Sequence, residues 1–384
     1  MAWLLNPYFV LSFCFILSYS ATFLGWSDLF GDLNEVTNAI YLSVALFFFC
    51  LSLLTYDKYK KNTIFKKICI SPSDNLFIFL IIGFFILELF YSGSLPFLLD
   101  NYSDILDSKF GIPILHGFFI SYISYKSLYF YYVYLSTKNL KYLLFILCIN
   151  LIIFLLMRRG LLVFNLLAYT FMYIIYSLSD FGNIKFIKIK IILISITTLL
   201  FFGLIGNLRL GDNSGDYILS VGKASQKFFD SGVPKEFFYG YMYLSSPVNI
   251  FDINVTSVNQ ESFVGFVYKN ILPDFLAKRF IAPDDDLVVQ TSSGFNVGGL
   301  FLIPFQHAGF MGIFYIIFYY LALSLLVLRA LLKKKKRSII ALCLFLSLSS
   351  LLTFSNLLNA GGYILQLFMA LFFFDFKRHF FVVR

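Results

Sequence analysis

Long runs of apolar residues are the feature that most limits how this chain can fold. A helix needs about 20 apolar residues to cross a bilayer, and we place ten such spans in the 384-residue sequence. They lie near residues 8–25, 39–55, 76–92, 112–135, 142–157, 161–178, 191–206, 309–331, 338–354 and 363–376. Only 13% of the residues are charged, about half the share in a soluble domain. The sequence therefore predicts an all-α, polytopic integral membrane protein, and it excludes a disordered chain, a coiled coil and an ordinary soluble enzyme.

Basic residues collect in alternate loops between these runs. The basic loops are segments 56–75, 136–141, 179–190 and 329–337, and more basic residues follow position 376. The loops between them are acidic or nearly neutral. Because basic loops stay in the cytoplasm, we expect both chain termini to be cytoplasmic. The net charge of +9 then reflects membrane topology, and no nucleic acid partner is predicted.

The predicted spans divide the chain into three regions. Residues 1–206 form an N-terminal membrane region with seven spans, and residues 298–384 form a C-terminal membrane region with three. Between them, residues 207–297 form one large outer loop, whose aromatic residues predict packing on the membrane region. Long ordered loops are commonly functional. A short apolar stretch at 298–306, interrupted by Pro304, predicts a re-entrant or interfacial segment.

Arginine residues lie at several places near the predicted outer surface. Arg158 and Arg159 occupy a tight turn between the fifth and sixth spans, Arg209 lies between glycines where the large loop begins, and Arg279 lies further along that loop. Most basic loops on the other side use lysine only. Arginine binds phosphate through two parallel hydrogen bonds, so we interpret these residues as candidate phosphate ligands. The alternative is that they extend to lipid phosphate at the membrane surface.

Other candidate site residues carry aromatic, amide or imidazole groups. Tyr241, Tyr243 and Asn249 lie in one aromatic stretch of the large loop and suit sugar faces and hydroxyls. An interfacial aromatic belt explains the same tyrosines equally well. His307, where the chain re-enters the membrane, is a candidate general base or a hydrogen-bonded packing residue.

Two ionisable residues lie inside or near the predicted spans. Glu88 and Lys126 lie in or near the third and fourth spans, where we expect them to pair with each other or to face a cavity.

The sequence has no P-loop, no GxGxxG after a strand, no HExxH and no GxSxG. The run of acidic residues at 284–286 is read as a solvated turn, and no CxxC pair is present. We therefore predict no cofactor and no metal.

The order of several short motifs resembles that of the Wzy-type O-antigen (oligosaccharide repeat unit) polymerases of bacteria. The matching pieces are Met157-Arg158-Arg159-Gly160-Leu161-Leu162, Gly206-Asn207-Leu208-Arg209, Tyr243-Leu244-Ser245-Ser246-Pro247-Val248-Asn249 and Gly309-Phe310-Met311-Gly312. The span count and the position of the large loop fit as well. Each motif is short, so the resemblance depends on their combination.

This resemblance implies glycosyl transfer on the periplasmic face of the bacterial inner membrane. The donor would be a glycan on undecaprenyl pyrophosphate, and the acceptor a single repeat unit on the same lipid. Arg159 and Arg209 would hold the departing pyrophosphate with Arg158 and Arg279, and His307 would activate the acceptor hydroxyl. Tyr241, Tyr243 and Asn249 would contact sugars. Implied partners are the bilayer, a chain-length regulator and a flippase.

Two other functional classes remain open on the sequence. An O-antigen ligase uses a similar donor and also has a large outer loop with arginines. A lipid-linked oligosaccharide flippase or other transporter is the second, although such proteins usually show repeat symmetry and midplane binding sites, and this sequence shows no internal repeat. Nothing in the sequence favours a structural or sensory role.

Overall fold

The computed structural model describes residues 2–67, 73–98, 110–181, 216–255, 262–280, 298–335 and 337–372. Within these ranges the chain forms helices joined by turns, and no β-strand is present. The predicted all-α fold is therefore confirmed.

Six helices make up the described part of the N-terminal region. They are α1 (Pro7–Thr22), α2 (Glu35–Asn62), α3 (Asp74–Ser92), α4 (Leu115–Thr137), α5 (Leu140–Leu155) and α6 (Arg159–Tyr176). Each coincides with a predicted span. The predicted span at 191–206 lies outside the described residues.

The described part of the second half contains five helices from the predicted large loop, followed by three apolar helices. They are α7 (Tyr217–Val221), α8 (Gln226–Asp230), α9 (Glu236–Val255), α10 (Phe263–Asn270), α11 (Asp274–Ala277), α12 (Leu302–Leu332), α13 (Ser338–Leu351) and α14 (Gly361–Phe372). Helices α7 to α11 belong to the predicted large loop, and its described parts are thus mostly helical.

Within the described residues, four helical segments are long and apolar enough to cross a membrane, namely Glu35–Asn62, Asp74–Ser92, Arg159–Ser179 and Leu302–Leu332. Helices α1, α5, α13 and α14 are apolar but shorter. Large apolar side chains on these helices are exposed, such as Phe90 at 84% and Leu54 at 76%. Such exposure suits a surface that faces lipid tails. The chain is therefore a membrane protein, while the full count of ten spans stays a prediction.

Capping residues fix where the first two helices begin. The side chain of Asn6 accepts a hydrogen bond from the Tyr8 amide, and that of Asn34 accepts one from the Thr37 amide. Each satisfies an amide that a helix N-terminus otherwise leaves open. Lys60 and Lys61 in the last turn of α2 complement the negative end of the helix dipole.

The described parts of the basic loops 56–75, 136–141 and 329–337 lie at one end of the helix bundle, which we call the basic end. Their cationic residues are Lys58, Lys60, Lys61, Lys66, Lys67, Lys138, Lys141, Arg329, Lys333, Lys334, Lys335 and Arg337. Ring contacts join Phe65 to Tyr132 and to Tyr176, so the chain after α2 reaches the ends of α4 and α6. Tyr132 also donates a hydrogen bond to the Lys66 carbonyl over 2.6 Å.

The described parts of the large loop pack at the opposite end. Helix α9 is the most buried of them, and its Tyr241 ring lies 5.3 Å from the ring of Trp26, between α1 and α2. The Asn34 amide donates to the Asp252 carboxylate over 3.0 Å. The Phe251 ring packs on Phe305, which ties α9 to the first turns of α12.

Helix α12 is broken at Ala308 and Gly309, whose backbone angles are not helical. Gly309 has φ 55° and ψ −142°, a combination that only glycine adopts without strain. The segment before the break is thus a separate short helix that begins at Leu302, and its re-entrant or interfacial position in the membrane stays a prediction. The expected cause was wrong, however, because Pro304 lies in the first helical turn, where a missing amide proton costs nothing.

The two ionisable residues inside predicted spans do not pair with each other. The buried Glu88 carboxylate lies 3.0 Å from Nδ1 of His116. The Lys126 ammonium lies over the Phe77 ring at 3.7 Å and over the Tyr129 ring at 4.9 Å. Each charge therefore has its own local partners, and the expected pairing between the two was wrong.

Candidate functional site

The turn that carries Arg158 and Arg159 is held by backbone hydrogen bonds at the start of α6. Met157 has a left-handed backbone (φ 54°), and the Arg158 amide donates to the Ile153 carbonyl over 3.2 Å. The Arg158 carbonyl in turn accepts from the amides of Leu161 and Leu162. This turn fixes the two arginines as the N-cap and the first residue of the helix.

Two cations at a helix N-terminus oppose the helix dipole. The positive end of the dipole lies there, so each adjacent cation costs about 0.3–1 kcal/mol when exposed. Anions, in contrast, bind well at such a terminus. Arg158 is exposed and Arg159 is half-buried. A phosphate bound at this terminus would offset the unfavourable interaction between the cations and the helix dipole.

Tyr363 in the first turn of α14 faces this arginine turn. A Cβ atom added to Gly160 would lie 2.8 Å from the Tyr363 hydroxyl, so glycine permits the close approach. Helix α14 thus brings a hydroxyl to the arginine turn.

Asp274 holds the N-terminus of α14 in place. Its Oδ1 accepts hydrogen bonds from the Gly361 amide over 3.0 Å and from the Phe275 amide over 2.8 Å. Its own amide donates to the Asn359 carbonyl over 2.8 Å. The side chain is nevertheless exposed, so its second carboxylate oxygen is open to a ligand.

Phe275 anchors the same segment against α4. A Cβ atom on Gly117 would lie 3.0 Å from the Phe275 ring, and the Phe118 ring packs against it at 5.3 Å. Arg279 follows within a few residues, with its side chain exposed. We call the group Arg158, Arg159, Tyr363 and Asp274 the arginine site.

His307 lies at the other end of the α10 segment. Its carbonyl accepts a hydrogen bond from the Ser262 amide over 2.9 Å, and its ring lies beside Gly265. Asp274 comes only after α10, whose eight residues span about 12 Å. The structure therefore places Asp274, and not His307, beside Tyr363 and the arginine turn.

The three candidate sugar ligands lie in α9 and are largely inaccessible. Tyr241 and Asn249 are each 4% exposed, and the Asn249 amide bonds to the Ser245 carbonyl one turn earlier. Burial raises the pKa of the Tyr241 phenol. Tyr243 is half-buried against the Phe354 ring. These contacts explain the aromatic stretch as packing between α9 and its neighbours.

The sequence interpretation missed two residues of the site, and one of its candidates lies outside the described residues. Tyr363 and Asp274 had no signal of their own, because one begins an apolar run and the other follows a proline in a loop. The approach of Gly361-Gly362 to Asp274 is visible only in three dimensions. Arg209 falls in the part of the chain that the structure leaves undescribed.

Comparison with known proteins adds no relative to this picture. No protein-family model, no curated protein and no solved structure matches the chain.

Proposed function

We propose that this protein is a glycosyltransferase that joins lipid-pyrophosphate-linked oligosaccharide repeat units into a polysaccharide. The observation that carries the proposal is the arginine turn at the start of α6, next to Tyr363 and Asp274 and at the bundle end away from the lysines. Its cations oppose the helix dipole, which favours a bound anion. The resemblance to Wzy-type polymerases supplies the substrate class.

In this proposal, Arg158 and Arg159 hold the pyrophosphate of the donor lipid. The bond between the sugar C1 and the phosphate oxygen breaks, and its electron pair goes to the pyrophosphate. Negative charge therefore grows on the leaving group, and guanidinium groups fixed in place stabilise it. Loss of one such contact typically lowers the rate by about 10²–10³. Exposed Arg279 would contact the same lipid head from the loop side.

The acceptor hydroxyl must give up a proton as the new C1–O bond forms. We assign this role to Asp274 and not to His307, because the Asp274 carboxylate accepts from the Gly361 amide, two residues before the tyrosine that approaches the arginine turn. The hydrogen bonds to Gly361 and Phe275 fix its position and leave the second oxygen for the acceptor. General-base catalysis of this kind contributes about 10²–10⁴ in rate.

The proposal also implies an orientation of the protein in the membrane. The basic end would lie in the cytoplasm and the arginine site in the periplasm of a bacterial inner membrane. Single cysteines at positions 158 and 60, in a variant without the natural cysteines, should react with an impermeant maleimide from opposite sides. Labelling of position 158 only from the cytoplasm would refute both the orientation and the enzyme assignment.

A deletion strain tests the reaction class. Loss of a polymerase should leave lipopolysaccharide core carrying one repeat unit on a gel, or the equivalent short capsule product. Loss of every repeat unit would favour the ligase or flippase instead.

Single substitutions at the candidate site test the mechanism. Arg158→Lys and Arg159→Lys should each reduce polymer by at least about 10²-fold, because lysine cannot form two parallel hydrogen bonds to a phosphate. Asp274→Asn should do the same, whereas His307→Gln should retain polymer. Lys58→Arg, an exposed exchange at the basic end, is the matched control and should behave as wild type. Normal polymer in both arginine variants, at equal membrane abundance, would refute the proposal.

A further inference from the structure

A second polar feature lies at the basic end, between α12 and α14. It is a cleft of about 190 Å³. Its lining residues are Leu326, Arg329, Ala330, Lys333, Lys335, Leu371 and Phe372. All of its charged lining residues are cationic, and the rest are apolar. The polymerase proposal makes no use of it.

Two local features of the backbone bring the three cations together. Arg329 and Lys333 are four residues apart at the end of α12, and such residues share a helix face. Lys335 reaches the same place because Lys334 adopts a left-handed backbone (φ 50°) and turns the chain back. The Lys335 amide then donates to the Ala330 carbonyl and the Lys334 amide to the Leu331 carbonyl, as in a Schellman C-cap.

A glycine would suit position 334 better than the lysine found there. Left-handed backbone is unfavourable by about 1 kcal/mol or more for a residue with a Cβ atom. Lys335 therefore folds back over the helix end although the backbone conformation of Lys334 is unfavourable. This turn places three cations around one small opening.

The apolar part of the cleft opens toward the surface that faces lipid. Phe372 is 56% exposed and Leu326 is 37% exposed, and neighbouring Leu325 and Leu332 are exposed as well. Pockets that enclose a drug-sized molecule measure about 300–1,000 Å³. The cleft is smaller, so it accommodates one end of a molecule whose remainder lies outside. Its charge and its apolar wall fit an anionic head joined to hydrocarbon chains.

We propose that this cleft binds an anionic phospholipid of the surrounding leaflet. The lipid phosphate would lie among Arg329, Lys333 and Lys335, and an acyl chain would lie along Leu326 and Phe372. Basic pockets between transmembrane helices bind such head groups in other membrane proteins. A free phosphate ion would use the cations but gain nothing from the apolar wall. This inference is independent of the polymerase proposal.

The experiment compares two pairs of substitutions at the same end of the bundle. Arg329→Gln/Lys333→Gln removes two cations of the cleft. Lys60→Gln/Lys61→Gln removes two cations from the last turn of α2, which does not line it. Each protein is reconstituted in nanodiscs of phosphatidylcholine with a small share of phosphatidylglycerol. The phosphatidylglycerol retained after transfer to detergent is then measured by native mass spectrometry.

We expect the first pair to lower phosphatidylglycerol affinity by about 30-fold, because both cations would make direct charge-assisted hydrogen bonds to the lipid phosphate. The second pair should lower it less than about threefold. Equal loss in both pairs would mean general surface attraction and would overturn the proposal. Displacement of the lipid by millimolar inorganic phosphate, but not by chloride at equal ionic strength, would show a site for free anions and would also overturn it.

Two further variants keep the test valid if the first pair does not fold. Arg329→Lys/Lys333→Arg retains both charges, and it should retain wild-type lipid affinity. Ala330→Leu adds apolar volume to a lining residue that is 5% exposed, without changing charge. It should reduce phosphatidylglycerol binding while leaving phosphatidylcholine binding unchanged. Wild-type phosphatidylglycerol affinity in the Ala330→Leu variant would place the lipid elsewhere.

Discussion

Gly312 offers a sharp test of the break in α12, because its missing side chain decides how closely two parts of the chain approach. A Cβ atom on Gly312 would lie 2.6 Å from the Pro304 carbonyl carbon and closer still to its oxygen. Real Cβ atoms almost never come within 3.0 Å of another heavy atom. The Gly312→Ala substitution must therefore push the two backbones apart by at least several tenths of an ångström.

The size of the effect follows from which atoms must move. Both partners are backbone, and the Pro304 ring fixes its φ angle, so no flexible side chain can yield. Overpacking a well-packed interior costs about 1–3 kcal/mol, and we expect Gly312→Ala to reach the upper part of that range. The Gly309→Ala substitution acts differently. It puts a side chain on a backbone that only glycine tolerates, which costs about 1–3 kcal/mol.

The assay is the free energy of unfolding in mixed micelles, titrated with a denaturing detergent. Gly83→Ala is the matched control, because Gly83 lies inside α3 and a Cβ atom there meets nothing within 4 Å. Alanine should stabilise that helix, by up to about 1 kcal/mol in water. If Gly312→Ala is as stable as Gly83→Ala, the close approach between residues 304 and 312 is refuted.

Three further substitutions test other contacts. Asp274→Ala should destabilise the protein by about 1 kcal/mol, because the cap of α14 is lost; thermal unfolding measures the change. The control, Asp230→Ala at an exposed position, should change stability by less than about 0.5 kcal/mol. Glu88→Ala should cost about 1–3 kcal/mol by leaving buried polar groups unsatisfied, and the loss should not add to that of His116→Ala in a double-mutant cycle. Lys126→Met should change the unfolding free energy by less than about 1 kcal/mol, because an apolar side chain of similar length replaces a desolvated cation; a loss above about 3 kcal/mol would contradict this.

The sequence predicted the helices well because their signal is local. Apolar runs such as 39–55 and 142–157 need no knowledge of their neighbours, since a lipid-facing helix is apolar on every side. Helix ends shifted where capping decided them. Helix α2 begins at Glu35, four residues before the predicted span, because the Asn34 side chain caps it there.

Pairings between helices could not be predicted in the same way. From the sequence, Glu88 and Lys126 are expected to pair with each other or to face a cavity. The structure shows instead that Glu88 meets His116 and that Lys126 lies over aromatic rings. Which faces of two helices meet depends on their rotation, and an apolar sequence without a polar face does not record it.

In the candidate site, too, local features are visible in the sequence, whereas contacts between distant residues are not. Arg158 is a candidate because charge at a predicted outer turn is unusual. Tyr241 and Asn249 are candidate sugar ligands, and that role stays a prediction; the sequence does not report that α9 is buried. Asp274 and Tyr363 meet through the fold, although they are far apart along the chain.

Helix α14 touches both proposed sites with its two ends. Tyr363 belongs to the arginine site, the Gly361 amide donates to Asp274 of that site, and Leu371 and Phe372 line the cleft at the basic end. Its twelve residues form a rod of about 18 Å, anchored by Asp274 at one tip and packed against α4 and α13. This one helix therefore sets the distance between the two proposed sites, and a substitution that shifts it would move both of them.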